Sequence, residues 1–248
     1  MSSISALQAQ LNSGTKAVIT THFNPDSDAI GSSLAWQNYL LQLGLEVSVV
    51  VPSAVSANLK WMPGAEHILN FEDTLHKVQI EALLKEAEFV FCLDFSGMQR
   101  LHGLSHSIKA ARGTKVVIDH HLNPEDFADY YYHRTTAAST CELIFDLIQE
   151  WGDDTLIDEA MGSCLYSGIM TDTGSFRHPN TTAHVHEVVA QLIQKGVNTN
   201  AVHRKIFDSA SLDRLRFLGH VLANRLDYLP EYHLALMWIT EEDQKQFN

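Results

Sequence analysis

Lys16-Ala-Val-Ile-Thr-Thr-His22-Phe-Asn-Pro-Asp26-Ser-Asp28-Ala-Ile-Gly-Ser-Ser-Leu34 changes its period halfway along, and that change decides the fold. Residues 17–21 form an apolar run of the buried-strand type, and Asn24-Pro25 breaks it. Beyond the break Ile30, Leu34 and Leu41 recur at helical spacing until Gly44, a residue suited to the position just past a helix end. His22, Asp26 and Asp28 therefore stand at a strand-to-helix junction. In open parallel sheets such junctions ring a crevice at the carboxyl ends of the strands, where the sheet beneath keeps reactive side chains in place.

The same arrangement returns three times. Phe89-Val-Phe-Cys-Leu-Asp94 is an apolar run ending in a carboxylate, and Lys115-Val-Val-Ile-Asp119-His120-His121 ends in three polar groups. Leu165-Tyr-Ser-Gly-Ile-Met-Thr-Asp172-Thr-Gly174 sets a carboxylate beside a glycine at the end of a helical stretch. The fold class expected is α/β, a parallel sheet of about five strands flanked by helices. Strands are placed near 16–22, 46–51, 89–94, 114–119 and 129–133. Helices are placed over 139–151, where Ser139 and Glu142 make a capping box, and over 155–171, 182–195, 199–208 and 211–226.

Carboxylate oxygen combined with imidazole nitrogen suits divalent ions such as Mn²⁺ or Mg²⁺, whereas Cys92, Cys141 and Cys164 have no zinc-type spacing. Two ions about 3.5–4 Å apart can hold a hydroxide between them and clamp both oxygens of an in-line phosphoryl displacement. Asp94, the lone acid of its cluster, is the candidate bridge. His22 and Asp26 would complete one ion's ligands, and Asp28, His120 and Asp172 the other's. Side chains leaving a strand alternate in direction, so His120 is assigned to metal, His121 is left facing the substrate or supporting a ligand from behind, and Asp119 is assigned to orienting a neighbouring histidine. Arg100 and Arg177, each shortly after one of these clusters, are candidate phosphate contacts.

His-x-Asn-Pro-Asp-x-Asp-Ala-x-Gly-Ser, a strand-end Asp, Asp-His-His and Thr-Asp-Thr-Gly-x-Phe-Arg, in that order over residues 16–182, resemble the DHH phosphoesterase family. Within the family the pattern is most similar to the bifunctional oligoribonuclease and PAP phosphatase branch. The resemblance implies two manganese ions on His22, Asp26, Asp28, Asp94, His120 and Asp172, with His121 touching phosphate. It also implies that the substrate is a short RNA oligonucleotide, 3′-phosphoadenosine 5′-phosphate, or both. Cyclic or linear dinucleotide phosphodiesterases and inorganic pyrophosphatases or polyphosphatases share this metal core and are the alternatives. A non-catalytic nucleotide or phosphate sensor is the alternative of another class.

Members of that branch carry a further lobe with a Gly-Gly-Gly-His-like loop, and no Gly-Gly pair occurs here. The expected organisation is a catalytic domain over 1–190, a helical connector over 191–230, and at 231–248 the start of a substrate-binding lobe that is otherwise missing. Tyr232-His-Leu-Ala-Leu-Met-Trp-Ile-Thr240 reads as the first strand of that lobe.

The 248 residues, 45% of them hydrophobic, can bury one sizeable α/β core. No apolar stretch reaches the ~20 residues of a membrane span, no secretory leader is evident, and three unpatterned cysteines suit a reducing compartment, so a cytoplasmic, membrane-free location is expected. With 17 Lys and Arg against 30 Asp and Glu, the net charge of −13 disfavours long duplex nucleic acid and leaves small phosphorylated substrates open. Oligomeric state is not readable.

Each residue also has a plain structural reading. Asp26 and Asp28 could cap the following helix, and Asp94 could be a turn acid. Six separate structural explanations would then be needed for six positions, which favours the joint metal reading. Among the 14 histidines, His102, His106, His184, His186, His203 and His220 read as bystanders on loops or helical faces without partnering acids, and His178 stays open. Trp36, Trp61, Trp151 and Trp238 read as core or lobe-contact residues.

Overall fold

The computed structural model describes residues 4–247. In chain order the elements are α1 (Ile4–Gln8), β1 (Lys16–Thr20), α2 (Ser27–Gln42), β2 (Glu46–Val51), β3 (Leu69–Asn70), α3 (Thr74–Glu86), β4 (Phe89–Leu93), α4 (Ser105–Ala110), β5 (Thr114–Asp119) and β6 (Tyr130–His133). There follow α5 (Thr140–Glu150), α6 (Glu159–Asp172), α7 (Ala183–Gln194), α8 (Thr199–Phe207), α9 (Leu212–Asn224), β7 (Leu226–Leu229), β8 (Leu234–Met237) and α10 (Glu241–Phe247).

Strands β3-β2-β1-β4-β5-β6 form one sheet in that order, every pair parallel. The fold class expected from sequence is thus observed, with a sixth strand added. That strand, β3, has two residues and pairs only through Leu69 and Asn70, too short to show a period of its own.

Alternation along the strands feeds two apolar layers. Ile19, Phe91, Leu93 and Ile118 face a core shared with α2, α5, α6 and α7, while Val18, Val90, Cys92 and Val117 face one shared with α3 and α4. Coverage on both faces explains why β4 reads as an unbroken apolar run. Trp36 anchors the first layer, fully buried, with ring centroids 5.1 Å from Tyr39, 5.5 Å from Phe91 and 5.7 Å from Trp151.

From β1 the chain winds outward through β2 to β3, and from β4 the other way through β5 to β6. The order reverses between β1 and β4, which opens the crevice outside their carboxyl ends. Helices α2 and α6 cross close behind it. Gly31 permits the approach, since a Cβ there would stand 2.5 Å from the Cys164 carbonyl oxygen.

The chain divides into two compact units, Met1–Ile206 and Phe207–Asn248. The first extends beyond residue 190 because Val185, Val188, Leu192, Val197 and Val202 are all buried in its core. In the second, β7 and β8 form an antiparallel hairpin through a Pro230–Tyr232 turn, with α9 before it and α10 after. Leu226, read from sequence as the end of a helix, begins β7, and the 232–240 strand shortens to Leu234–Met237. The hairpin register supplies the reason: Leu226 pairs with Met237, a partner 11 residues away that helical periodicity cannot see. Asp243 ties this unit together, accepting hydrogen bonds from Arg225 Nε at 2.9 Å, Thr240 Oγ1 at 2.7 Å and His220 Nε2 at 2.8 Å. His220 therefore does have an acid partner, contrary to the sequence reading. No helix among the described residues is long and apolar enough to cross a membrane.

Candidate metal centre

The loops after β1, β4 and β5 meet the end of α6 and the start of α5. Asp94, first residue past β4, takes a left-handed backbone (φ 64°) and is buried. Strain at a buried polar strand end is characteristic of functional positions. The two carboxylate oxygens of Asp94 address different groups. Oδ2 lies 3.5 Å from His22 Nε2, which is also 3.8 Å from Asp26 Oδ2. Oδ1 lies 3.6 Å from His120 Nε2, which in turn is 3.6 Å from Asp172 Oδ2 and 3.9 Å from Asp28 Oδ2.

These separations exceed hydrogen-bond length. They match the roughly 3–4 Å between two atoms that each ligate one ion at about 2.0–2.2 Å. His22–Asp26–Asp94 and Asp28–His120–Asp172 thus form two donor clusters, adjoining through Asp94.

Surrounding hydrogen bonds turn the donors toward these positions. His22 Nδ1 pairs with the Phe23 carbonyl at 2.8 Å and His120 Nδ1 with the Ala137 carbonyl at 3.3 Å, so both rings present Nε2 as the free lone pair. Asp26 does cap α2, as its plain reading proposed. Its Oδ1 accepts from the Asp28 and Ala29 N–H groups at 3.0 Å, which leaves Oδ2 for the cluster. Capping and ligation are compatible because the carboxylate has two oxygens. Asp28 accepts from the Thr140 and Cys141 N–H groups at 2.7 and 2.9 Å, so the start of α5 holds it by its unpaired backbone donors. Thr140 Oγ1 donates to Asp94 Oδ1 at 2.9 Å. Gly168 of α6 makes the room, because a Cβ there would lie 2.5 Å from Asp28 Oδ1.

The electrostatics are those of a cation site. Burial first, and then Asp28, Asp26 and Asp172, push the Asp94 carboxyl well above its ordinary range. Asp172 is pushed up to about 9, by burial and then by Asp28 and Asp26. Crowded buried carboxylates resist ionising together unless positive charge is supplied. The donor set, four carboxylates and two correctly oriented imidazoles, fits two divalent ions.

His121 adjoins the same centre, its Nδ1 3.7 Å from Asp94 Oδ1 in a third grouping, Asp94–His120–His121. Its Nδ1 is bound to Asp119 Oδ1 at 2.8 Å, a contact that raises the imidazole pKa, while the ring is partly exposed. Arg100 is exposed on the 98–104 turn after β4, near enough for its charge to oppose protonation of His121. Arg177 is exposed on the loop after α6, its Nε donating to the Gly174 carbonyl at 2.7 Å, and among the described residues it touches none of the six clustered donors.

Two supports were not legible in the sequence. Asn180 Nδ2 donates to the Ala138 carbonyl at 3.3 Å and to the Asp172 carbonyl at 3.2 Å, tying two site segments together. Glu142 Oε2 accepts from the Ala138 N–H at 2.7 Å, next to the carbonyl that orients His120. Around it Arg134 pairs with Asp146, and His184 Nε2 with Asp146 Oδ1 at 2.8 Å. His184 was read as lacking acid partners. The fold supplies Asp146 from another helix, 38 positions away in the chain. Only the capping-box spacing of Ser139 and Glu142 hinted at this cluster.

A doubly wound α/β domain with paired carboxylate–imidazole clusters at its topological switch defines a class of metal-site protein. Residues 16–169 match the DHH family, N-terminal domain, and the chain belongs to that family. The bifunctional oligoribonuclease and PAP phosphatase NrnA of Thermus thermophilus is 32% identical over 206 residues, covering 83% of this chain and 57% of the relative. A protein of Brevibacillus brevis named "Probable manganese-dependent inorganic pyrophosphatase" is 25% identical over 189 residues, 75% of this chain and 57% of that one. The crystal structure of an exopolyphosphatase-related protein from Bacteroides fragilis superposes with a TM-score of 0.94 at 36% identity, covering 98% of this chain and 71% of its own. The chain spans between 57% and 65% of the length of the first curated relatives it matches.

Proposed function

We propose that this protein is a hydrolase of phosphoester bonds that works with two divalent ions, Mn²⁺ by preference, on short RNA oligonucleotides and 3′-phosphoadenosine 5′-phosphate. The observation that carries the reading is Asp94, whose two oxygens serve separate donor clusters. A carboxylate in that position can bridge two ions, and His22, Asp26, Asp28, His120 and Asp172 complete their ligands. Bound there, the ions supply Lewis acidity at phosphorus and lower the pKa of water.

The protein's own groups do the rest. Thr140 and the α5 N–H groups hold Asp94 and Asp28 in place before substrate arrives, so little reorganisation remains during reaction. Asp119 accepts from His121 Nδ1 and favours the protonated ring, whose Nε2–H can donate to a phosphate oxygen or pass its proton to the leaving oxygen. Arg100 adds positive charge on the same side, and Arg177, after a change of rotamer, is a second phosphate contact. The oligoribonuclease and PAP phosphatase named among the relatives supports nucleotide substrates. In this reading the first unit carries the chemistry, with every proposed ligand within residues 1–190, and the second unit, from Phe207 and including 231–248, begins a lobe for substrate recognition.

The test is product analysis with Mn²⁺ against 3′-phosphoadenosine 5′-phosphate, a short RNA, a linear diadenylate and pyrophosphate in parallel. Turnover of the first two is expected. The pyrophosphatase-named relative supports a second reading on the same donors, and turnover of pyrophosphate alone would establish it in place of the first. Two bound ions without turnover of any substrate would indicate a sensor.

A further inference from the structure

Phe23 and His102, neither of them part of the donor clusters, stack face to face with ring centroids 4.1 Å apart and planes 17° from parallel. The pair is built across two loops. The Phe23 N–H donates to the Arg100 carbonyl at 2.8 Å, and the Phe23 carbonyl pairs with His22 Nδ1 at 2.8 Å. The neighbouring Asn24 N–H donates to Ser53 Oγ at 2.7 Å. The backbone of Phe23 thus joins the stack directly to a metal-site imidazole and to the residue carrying the Arg100 guanidinium.

The backbone at His102 is also forced. With φ 47° and ψ −125° it interrupts a helical turn, a conformation that a side chain bearing a Cβ rarely adopts. Local strain of this kind persists where the surroundings over-determine it. Its effect here is to lay an exposed ring flat on half-buried Phe23, with no other aromatic ring against it among the described residues.

We infer that the Phe23–His102 stack is a nucleobase platform beside the metal centre, on which the exposed face of His102 receives the base of a nucleotide whose phosphate lies toward Arg100 and His121. Stacking on an aromatic plane tolerates any base, since every base has a π-face, and it suits a substrate that is short and single-stranded. Pyrophosphate has no ring and gains nothing from the platform, so the inference also separates nucleotide phosphoesters from the phosphoanhydride of the second reading. It rests on the phosphoester reading for the direction in which the phosphate lies.

Calorimetric binding of AMP and of ribose 5-phosphate, which lacks only the base, tests it on the protein with Mn²⁺. The wild type is expected to bind AMP about tenfold more tightly than ribose 5-phosphate, as a single base–aromatic stack predicts. In His102→Ala that ratio should collapse toward one while ribose 5-phosphate affinity stays unchanged, and His102→Phe should restore it. His102 is exposed, so the variants are expected to keep the wild-type circular dichroism. A wild-type ratio near one, a ratio unchanged in His102→Ala, or no binding of either ligand overturns the platform. The phosphoester reading is judged separately, by wild-type turnover of the nucleotide substrates: a base preference without turnover would sink that reading and leave the platform standing.

Discussion

Asp94 is the residue on which most of the chemistry converges. Its backbone is left-handed, it is buried, and among the described residues Thr140 alone donates a hydrogen bond to its carboxylate. Asp94→Ala should therefore bind fewer than two Mn²⁺ and lose nearly all turnover, as read by metal stoichiometry and initial rates; a variant with normal turnover rules out the bridge. His121→Ala separates ligand from substrate contact. Because Nδ1 is held by Asp119, both ions should remain while kcat falls by about 10²–10⁴, the usual range for losing a proton-transfer group. Loss of one ion in that variant would make His121 a ligand instead. Asn180 acts at one remove, through the carbonyls of Ala138 and Asp172. Asn180→Ala should weaken the affinity of one ion by about 10- to 100-fold and leave the other unchanged, a difference that a Mn²⁺ titration resolves.

At the scale of elements, the centre depends on how closely α2 and α6 approach and on where α5 begins. Gly168 faces Asp28, and a methyl group there would lie 2.5 Å from Oδ1. Gly168→Ala should cost about 1–3 kcal/mol by overpacking, measured as a lower urea midpoint. It should also weaken the His120 cluster before the His22 cluster, since Asp28 belongs to the former. An unchanged midpoint would show that the helices separate freely. The helices themselves were legible from sequence because their caps are local: Asp26 and Ser139 cap by bonds to residues two or three positions on. The β7–β8 hairpin was not, since an exposed run such as Leu234–Met237 shows no inside–outside alternation to set its limits.

For the whole molecule, the gathered carboxylates make stability depend on cation and on pH together. Asp172 has a folded-state pKa of about 9 against an ordinary 3.8, and Asp94 is raised as well. The metal-free folded state then binds more protons than the unfolded chain between those values, so its stability falls as pH rises from about 4 toward 9. Mn²⁺ should remove that slope and raise the melting temperature at neutral pH. At a hundredfold excess over Kd a bound ion contributes about 2.7 kcal/mol. Scanning calorimetry at several pH values, with chelator and with Mn²⁺, reads both effects, and an equal melting temperature with and without Mn²⁺ would exclude a metal site.

The residues of the site were visible in the chain because each sits where an apolar run breaks, and a break in period is a local property. The α/β class followed from the same signal repeated. What only the tertiary structure decided is which breaks meet. Reversal of strand order between β1 and β4 brings His22 to Asp94, and the α5 N-terminus reaches Asp28 across 112 positions of sequence. Hydrogen bonds from Ala137 and Asn180, the acid partners of His184 and the Phe23–His102 stack belong to that second kind. The physical reason is that a side chain's partners depend on how elements pack, and packing is set by the summed burial of the sheet's two faces, to which no single stretch of sequence holds the key.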